Sequence, residues 1–217
     1  DDLFFSTINS FMENYKYSPV SSDTMERYFS QTSGIDLEPF FRDWIFTGGY
    51  NVVVLDSFNA TQDGSNFDVE LFVQQKLKGR AAYHDDVPVF CTLFDDQYNS
   101  VSAKGLMSGK TGTLSVQSSF NPTYVLLYEQ NEQAHARTRD VLRVKETGSH
   151  DLKNMYWDIN VTYVSDSAFA VFDHIWSVPD PIKKWSEKAY KMSTYHYWKV
   201  HGIGLSNLEM NAEFKYD

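Results

Sequence analysis

The sequence predicts a mainly β fold with an N-terminal helical segment, namely a β-sandwich followed by a second β-rich module. Apolar residues recur with a helical period up to about residue 49, and from Tyr50 onward they recur with the period of two that strands show. The chain is also rich in aromatic residues, with 16 Phe, 14 Tyr and 5 Trp. Such residues favour the half-buried surfaces of sheets, so they indicate the same fold class.

Residues 1–49 have the pattern of three short amphipathic helices. In the first, the apolar residues that share one helix face are Phe4, Ile8, Phe11, Met12 and Tyr15. Ser18-Pro19 ends this helix, Gly34 suits the end of the second, and Gly48-Gly49 end the third. The apolar stripe of the third helix consists of Leu37, Phe40, Phe41, Trp44 and Ile45. Helices this short cannot bury their apolar faces against one another, so we expect this segment to dock on a larger partner.

Residues 50–146 are predicted to form the β-sandwich, and residues 147–217 the second β-rich module. Apolar and polar side chains alternate over 67–73, as in a strand with one buried face, and Asp63-Gly64 supply the turn before it. The boundary between the two parts is placed within 130–153, the most polar stretch of the chain. Further strand-like runs are 87–94, 111–117, 123–128, 156–164, 168–178, 193–201 and 208–216.

The charge balance argues against one large class of function. The formal net charge is −10, from 29 acidic and 19 basic residues, and no stretch rich in Lys and Arg offsets it. A surface of this kind repels phosphate backbones, so no nucleic-acid partner is expected. No apolar run approaches the ~20 residues that span a bilayer, so no membrane span is expected. The location we favour is extracytoplasmic, that is, secreted, periplasmic or at the cell surface.

The sequence contains no recognisable catalytic, cofactor-binding or metal-binding residues. None of the six histidines has a second histidine four positions away, so the signature H-E-x-x-H is absent. His196 and His201 are five positions apart, and on a strand that odd spacing places them on opposite faces. The loop 105–111 has three residues between its glycines where a phosphate-binding loop needs four, so a hairpin turn is the better interpretation. Cys91, the single cysteine, lies in an apolar run and is expected in the core.

Aromatic residues in the C-terminal part suggest one binding function. They are suited to form a platform for a glycan or a protein, which would make the chain a stand-alone β-sandwich binding module. Aromatic residues at alternating strand positions also suit a core with cross-strand packing, so both interpretations stay open. The residues concerned are Trp176, Trp185, Tyr195, Tyr197 and Trp198.

One stretch of the chain resembles a known family. Residues 33–50 read S-G-I-D-L-E-P-F-F-R-D-W-I-F-T-G-G-Y, and a strand follows at once. This resembles the end of the catalytic domain in M1-family zinc aminopeptidases, where an Asp-capped helix with a Phe-Phe-x-x-Trp-like pattern leads through a Gly-aromatic turn into a β-sandwich. The resemblance covers about residues 3–75 and rests on packing motifs. Two departures are Asn51, where the family usually has proline, and the β-rich residues 154–217, where many members have a helical superhelix.

The resemblance implies a non-catalytic role for this chain. It would be the C-terminal region of an M1-like zinc metallopeptidase that braces the catalytic domain or shapes substrate access. In the family the zinc ligands, the general-base glutamate and the transition-state tyrosine belong upstream of this region, so zinc is expected only in the parent polypeptide. The partners implied are the upstream catalytic domain of the same polypeptide and the peptide substrate of the parent.

Overall fold

The fold is mainly β with helices in the N-terminal segment, as the sequence predicts. A computed structural model describes residues 2–181 and 192–215. Its α-helices are α1 (Asp2–Asn14), α2 (Ser22–Ser33) and α3 (Glu38–Phe41). Its strands are β1 (Tyr50–Asp63), β2 (Asn66–Lys78), β3 (Val87–Phe94), β4 (Ser100–Met107), β5 (Thr111–Ser118), β6 (Tyr124–Leu127), β7 (Arg137–Val144), β8 (Gly148–Leu152), β9 (Trp157–Val164), β10 (Ala168–Ile175), β11 (Tyr197–Ile203) and β12 (Leu208–Phe214). These strands pair antiparallel in four three-stranded sheets.

Helices α1 and α2 pack against each other through aromatic side chains. The ring of Phe11 in α1 lies 5.4 Å from that of Tyr28 and 5.5 Å from that of Phe29, between centroids. Gly34 ends α2 in the left-handed conformation that the sequence predicts, with φ 71°, and its N–H donates to the carbonyl oxygen of Ser30. Within the described ranges, no helix has the length and apolar character that a bilayer crossing requires.

The third predicted helix is shorter than its sequence pattern suggests. Helix α3 ends after one turn, and the chain continues as a π-helical turn at Arg42–Phe46. Because the π turn is wider than an α turn, the residues on either side of it do not follow one period of 3.6. Phe41 is buried, whereas Phe40 and Ile45 are about half exposed. The prediction of one continuous apolar stripe on this helix is therefore wrong.

Strands β1 to β6 form a sandwich of two sheets, which we call the first β unit. One sheet has the strand order β1-β2-β5 and the other β4-β3-β6. Along β2, Val69, Leu71 and Val73 face the core and are buried while Glu70 between them is exposed, which confirms the alternation predicted for 67–73. The facing sheet contributes Val87, Val89, Cys91, Leu93, Val125 and Leu127 to this core.

The segment 105–111 joins two different sheets. Strand β4 extends into this segment and pairs with β3, whereas β5 pairs with β2. Gly109, with φ 74°, turns the chain between them. A turn is present where the sequence predicts one, but the hairpin interpretation is wrong because the two adjoining strands have their partners in opposite layers.

Strands β7 to β12 form a second pair of sheets, which we call the second β unit. Their orders are β11-β10-β7 and β12-β9-β8. The core between them includes Trp157 and Ile159 from β9 and Phe172 from β10. Strand β7 pairs with β10 along its whole length, so the chain changes from one unit to the other between β6 and β7. The connection between these two strands, 128–136, overlaps the polar stretch 130–153 in which the sequence places the boundary.

Strand β10 lies between two apolar cores, and all eight of its residues are buried. Ala170 and Phe172 face the core of the second unit, whereas Phe169 and Val171 pack with Phe94 of the first. A strand that is buried on both faces usually has a continuous apolar sequence. The sequence of β10 is apolar except at Asp173 and His174. The two β units are therefore held together by apolar contact along this strand.

Replacing Gly202 by alanine is expected to disrupt the pairing of β10 with β11. Gly202 has φ 152° and pairs with Ala170, and a Cβ at this position would clash with the carbonyl oxygen of Phe169. Backbone strain alone costs about 1–3 kcal/mol, and the clash with backbone adds to it. Urea denaturation should show a larger loss in the free energy of unfolding for Gly202→Ala than for Gly64→Ala. The Cβ of the Gly64 variant would meet no atom within 4 Å. Equal losses in the two variants would contradict this close approach.

Candidate functional site

The N-terminal helical segment exposes a set of large apolar side chains, which we call the helical apolar surface. Its members are between 48% and 66% exposed. They are Leu3, Phe4, Phe5, Met12, Ile35, Phe40, Ile45 and Phe46. Helices of a soluble monomer usually turn such residues inward, and extended apolar patches mark interaction sites. The segment thus retains apolar faces for which the sequence predicts a docking partner.

A groove lies within this surface, between the start of α1 and the end of α2. Its volume is about 280 Å³, and its apolar walls are Leu3, Phe4, Phe29, Ile35 and Leu37. Thr7 also lines the groove, and among the described residues its buried hydroxyl has no hydrogen-bond partner. Leaving a buried hydroxyl unpaired is unfavourable. The groove is therefore suited to an apolar side chain that brings a hydrogen-bonding group with it.

Asp43, in the π-helical turn, connects the helical segment to the first β unit. Its carboxylate accepts hydrogen bonds from Nη2 of Arg80 at 3.2 Å and from the backbone N–H of Asp85 at 2.8 Å. Arg80 also donates to the carbonyl oxygen of Asp43 at 2.9 Å, and Arg42 donates twice to the carboxylate at 3.2 Å. The Asp43 and Arg80 side chains are only 3% and 1% exposed. Burial alone would raise the pKa of Asp43, but these hydrogen bonds and the charge of Arg42 outweigh it and lower the pKa.

Trp44 lies where the helical segment meets the first β unit. Its ring meets that of His84 edge-on, with 4.5 Å between centroids. His84 is buried, whereas Trp44 is half-buried. Burial, and then the charge of Arg80, lowers the pKa of His84 to about 4, so this histidine is neutral at pH 7. Trp44 therefore packs at the junction between the helical segment and the first β unit.

A second buried charged cluster lies between the two β units, around Asp173 of β10. Arg139 of β7 donates from Nε to Oδ1 at 2.6 Å and from Nη2 to Oδ2 at 2.8 Å. Its Nη1 donates to the carbonyl oxygens of Leu127 and Tyr128 at 2.8 and 3.2 Å. Both charged side chains are 4% exposed, so their interaction is little screened by water. Arg139 therefore connects the end of β6 to the central strand of the second unit.

His201 of β11 is a further partner of Asp173. Its Nε2 lies 3.0 Å from Oδ2 of Asp173, and its Nδ1 lies 2.7 Å from the hydroxyl oxygen of Tyr124. Because a carboxylate only accepts, Nε2 carries the proton and the Tyr124 hydroxyl donates to Nδ1. Burial lowers the pKa of His201, and the hydrogen bond to Asp173 offsets this only in part. His201 is thus a neutral imidazole at pH 7.

Arg137 lies two residues before Arg139 on β7 and makes weaker contacts. Its Nη1 is 3.8 Å from Oδ2 of Asp173, which is longer than a hydrogen bond, and its side chain is 7% exposed. The guanidinium carbon lies 5.6 Å from the centroid of the Tyr128 ring. Burial, and then repulsion from Arg139, lowers the pKa of Arg137 to about 10, so the group is still charged at neutral pH.

Two residues of the predicted aromatic platform pack inside the protein. Trp198 belongs to the core of the second β unit, where its ring centroid lies 6.0 Å from those of Trp157 and Phe214. Tyr197 packs on the apolar contact between the units. For these two residues the structure confirms the core-packing interpretation.

Of the other platform residues, Trp176 directly follows β10 and Tyr195 lies just before β11. Trp176 is 39% exposed and Tyr195 is 69% exposed. Trp176 stacks on the ring of His196 with 5.4 Å between centroids and a 20° interplanar angle. Trp185 lies outside the described residues. Among the platform residues that the structure describes, Trp176 and Tyr195 are therefore the exposed ones.

The histidines of the described ranges are spread over several environments. His196 and His201 lie on opposite faces, as their odd spacing predicts, because His196 contacts His174 whereas His201 contacts Asp173. Among residues 2–181 and 192–215, no three His, Cys, Asp or Glu side chains are grouped as metal ligands would be. Cys91 is in the core of the first unit as predicted, and burial raises the pKa of its thiol to about 11.

The buried charged residues were not predicted from the sequence. Arg137 and Arg139 fall in the polar stretch 130–153, where composition indicates a boundary. The partner of Arg139, Asp173, is 34 positions away along the chain, and no periodicity links the two. One signal is present: Arg137, Arg139 and Arg143 are even numbers of residues apart, so on a strand they share one face.

Comparisons with known proteins add no relative to this picture. No family model matches the chain, and neither a curated protein nor a solved structure matches it.

Proposed function

We propose that this chain is the non-catalytic C-terminal region of an M1-like zinc metallopeptidase and that it braces the catalytic domain through residues 1–49. The resemblance of residues 33–50 to the end of an M1 catalytic domain supports the choice of family. The observation that carries the proposal is the helical apolar surface, because side chains of this kind gain stability when a partner covers them. Peptide hydrolysis by a zinc-activated water belongs to the upstream domain in this proposal.

The contacts of Asp43 support bracing in particular. A docked domain would hold α1 and α2, and the buried ion pair of Asp43 with Arg80 would relate that domain to the first β unit. Two sets of contacts would then fix the position of the β units relative to the catalytic domain. The helical apolar surface would bind that domain, and the Asp43 contacts would hold the helical segment on the first β unit. A region that positions a neighbouring domain in this way needs no reactive group of its own.

A second candidate function is a stand-alone module that binds a glycan or a protein. The observation in its favour is the exposed Trp176, whose ring is already aligned by stacking on His196. We favour bracing because the helical apolar surface presents many more exposed apolar side chains than the Trp176 edge does.

The bracing role is tested in the polypeptide that contains this chain together with the sequence encoded upstream of it. That upstream sequence should contain H-E-x-x-H, and the polypeptide should hydrolyse an aminoacyl p-nitroanilide in a reaction that chelators abolish. Phe5→Asp combined with Met12→Asp places two charges on the helical apolar surface. Because burying unpaired carboxylates is unfavourable, the midpoint of thermal inactivation should fall by at least ~5 °C.

Leu106→Asp is the matched control, because Leu106 is 64% exposed on β4, outside the helical apolar surface. It should leave the inactivation midpoint unchanged. If the double variant inactivates at the same temperature as this control, the helical apolar surface is not a docking site. If the upstream sequence lacks H-E-x-x-H, the peptidase assignment is excluded and binding through Trp176 becomes the function to examine.

A further inference from the structure

A cavity lies where the two β units meet, beside the Asp173 cluster. Its volume is about 270 Å³, and both units contribute to its lining. Apolar walls come from Val54 and Phe58 of β1, Leu127 of β6 and Ile175 of β10. Apolar walls combined with a few convergent polar groups are typical of small-molecule sites. The cavity lies apart from the helical apolar surface, so a ligand bound in it would serve a function separate from the docking of the catalytic domain.

Arg137 lines this cavity with hydrogen-bond donors that Asp173 does not match. Oδ2 of Asp173 already accepts from Arg139 at 2.8 Å and lies 3.0 Å from the protonated Nε2 of His201. The Arg137 guanidinium offers five N–H donors in a planar fork, yet its nearest approach to this oxygen is 3.8 Å. Burying such a group without matched acceptors is unfavourable for folding alone. A ligand that brings a hydrogen-bond acceptor into the cavity explains the burial of the Arg137 guanidinium better than packing alone does.

The charges around the cavity set the charge of the ligand. The charged residues that line it are Arg137, Arg139, Lys199, Asp56, Asp173 and Asp180. Asp180 is paired with the amine of Lys76 at 2.8 Å, and the Lys76 side chain is 6% exposed. Within the described residues, Arg139 is hydrogen-bonded to Asp173, whereas Arg137 comes no closer than 3.8 Å to that carboxylate. A ligand that presents a single carboxylate to Arg137 suits this lining, because carboxylates already around the cavity would repel a second negative charge on the ligand.

We propose that this cavity binds a small monocarboxylate with an apolar body, and that Arg137 receives the carboxylate through its planar fork. A guanidinium and a carboxylate form two parallel hydrogen bonds, which gives the pair both strength and a defined orientation. Lys199 and the hydroxyl of Tyr197 line the same cavity and supply further donors. Arg139 is a positioning residue, because its bonds to Asp173 keep the neighbouring part of β7 in place.

Calorimetric titration with benzoate at pH 7 tests this site, with benzamide as the uncharged ligand of the same shape. Benzoate should bind the unmodified chain with a dissociation constant of about 1 mM or tighter, and benzamide at least ~10-fold more weakly. Arg137→Gln should abolish benzoate binding and should melt at the same temperature as the unmodified chain or higher, since it removes a buried charge without matched acceptors. A merely structural arginine would lower the melting temperature instead.

Arg143→Gln is the matched control, because Arg143 lies on the same strand, is exposed and does not line the cavity. It should retain benzoate binding. Arg137→Lys keeps the charge but loses the fork, so it should bind benzoate at least ~10-fold more weakly even if Arg137→Gln fails to fold. The site is excluded if the folded chain does not bind benzoate, if benzamide binds equally well, or if Arg143→Gln loses as much affinity as either Arg137 variant.

Discussion

Asp173→Asn is expected to lower the free energy of unfolding by about 3–5 kcal/mol, the usual cost of breaking a buried ion pair from one side. Its carboxylate is the shared acceptor for Arg139, at 2.6 and 2.8 Å, and it is the anion nearest to Arg137. Without that negative charge, two guanidiniums that are 4% and 7% exposed remain buried and uncompensated. Urea denaturation at pH 7, followed by circular dichroism, measures the loss.

Asp158→Asn is the control for this prediction. Asp158 forms an ion pair with Lys215 at 2.9 Å, but both side chains are about half exposed. Exposed pairs contribute less than about 1 kcal/mol, so this variant should unfold close to the unmodified chain. Similar losses for Asp158→Asn and Asp173→Asn would mean that the Asp173 cluster is not a buried network.

The same carboxyl makes stability depend on pH. Burial alone would raise the pKa of Asp173, but hydrogen bonds from Arg139 and His201 and the charge of Arg137 hold it well below its usual range. A carboxyl whose folded-state pKa is lowered stabilises the fold above its unfolded-state pKa of about 3.9, and that contribution disappears as the pH falls toward the folded-state value. The free energy of unfolding should therefore decline below about pH 5, and less steeply in Asp173→Asn than in the unmodified chain.

The second large effect is expected for Asp43→Asn. Asp43 and Arg80 are both almost fully buried, so removing the charge of Asp43 leaves the Arg80 guanidinium without its anion. We expect a loss of about 3–5 kcal/mol in the free energy of unfolding. The backbone amides of α1 and α2 should also exchange with solvent faster, because the helical segment loses its buried connection to the first β unit. Hydrogen-exchange mass spectrometry measures this change.

Asp85→Asn separates the buried contribution from the exposed one. Asp85 pairs with Arg42 at 2.9 Å, beside Asp43, but its side chain is 51% exposed. This variant should lose less than about 1 kcal/mol and leave helix exchange unchanged. If Asp43→Asn speeds amide exchange in the first β unit as much as in the helices, then Asp43 stabilises the whole fold instead of this junction.

The sequence by itself determined the coarse fold. The helical period before residue 49 and the alternation at 67–73 correspond to helices α1 and α2 and to strand β2. Gly34 marks the end of α2 where the pattern places it. These features are local, because the spacing of apolar residues records which face of an element is buried without reference to its partner. The resemblance to M1 peptidases and the bracing role stay predictions.

The identity of β7 and β8 depended on tertiary structure. Their residues are mostly polar, so the sequence suggested a boundary within 130–153 instead of two strands. Arg139 of β7 reaches the end of β6 in the first β unit, and Asp173 supplies the charge that balances it there. Asp173 belongs to β10, far along the chain, and no local sequence pattern predicts that it pairs with Arg139.

Tertiary structure alone decided where the buried charges and the cavity lie. Asp43 with Arg80, and Asp173 with Arg139, each join elements that are more than 30 positions apart in the chain. Residues of these types are usually exposed, so their sequence neighbourhoods predict solvent contact. Their burial follows from the packing of the helical segment and the second β unit against the first. A cavity lined by Arg137 exists for the same reason: it forms between two units whose contact the order of residues does not encode locally.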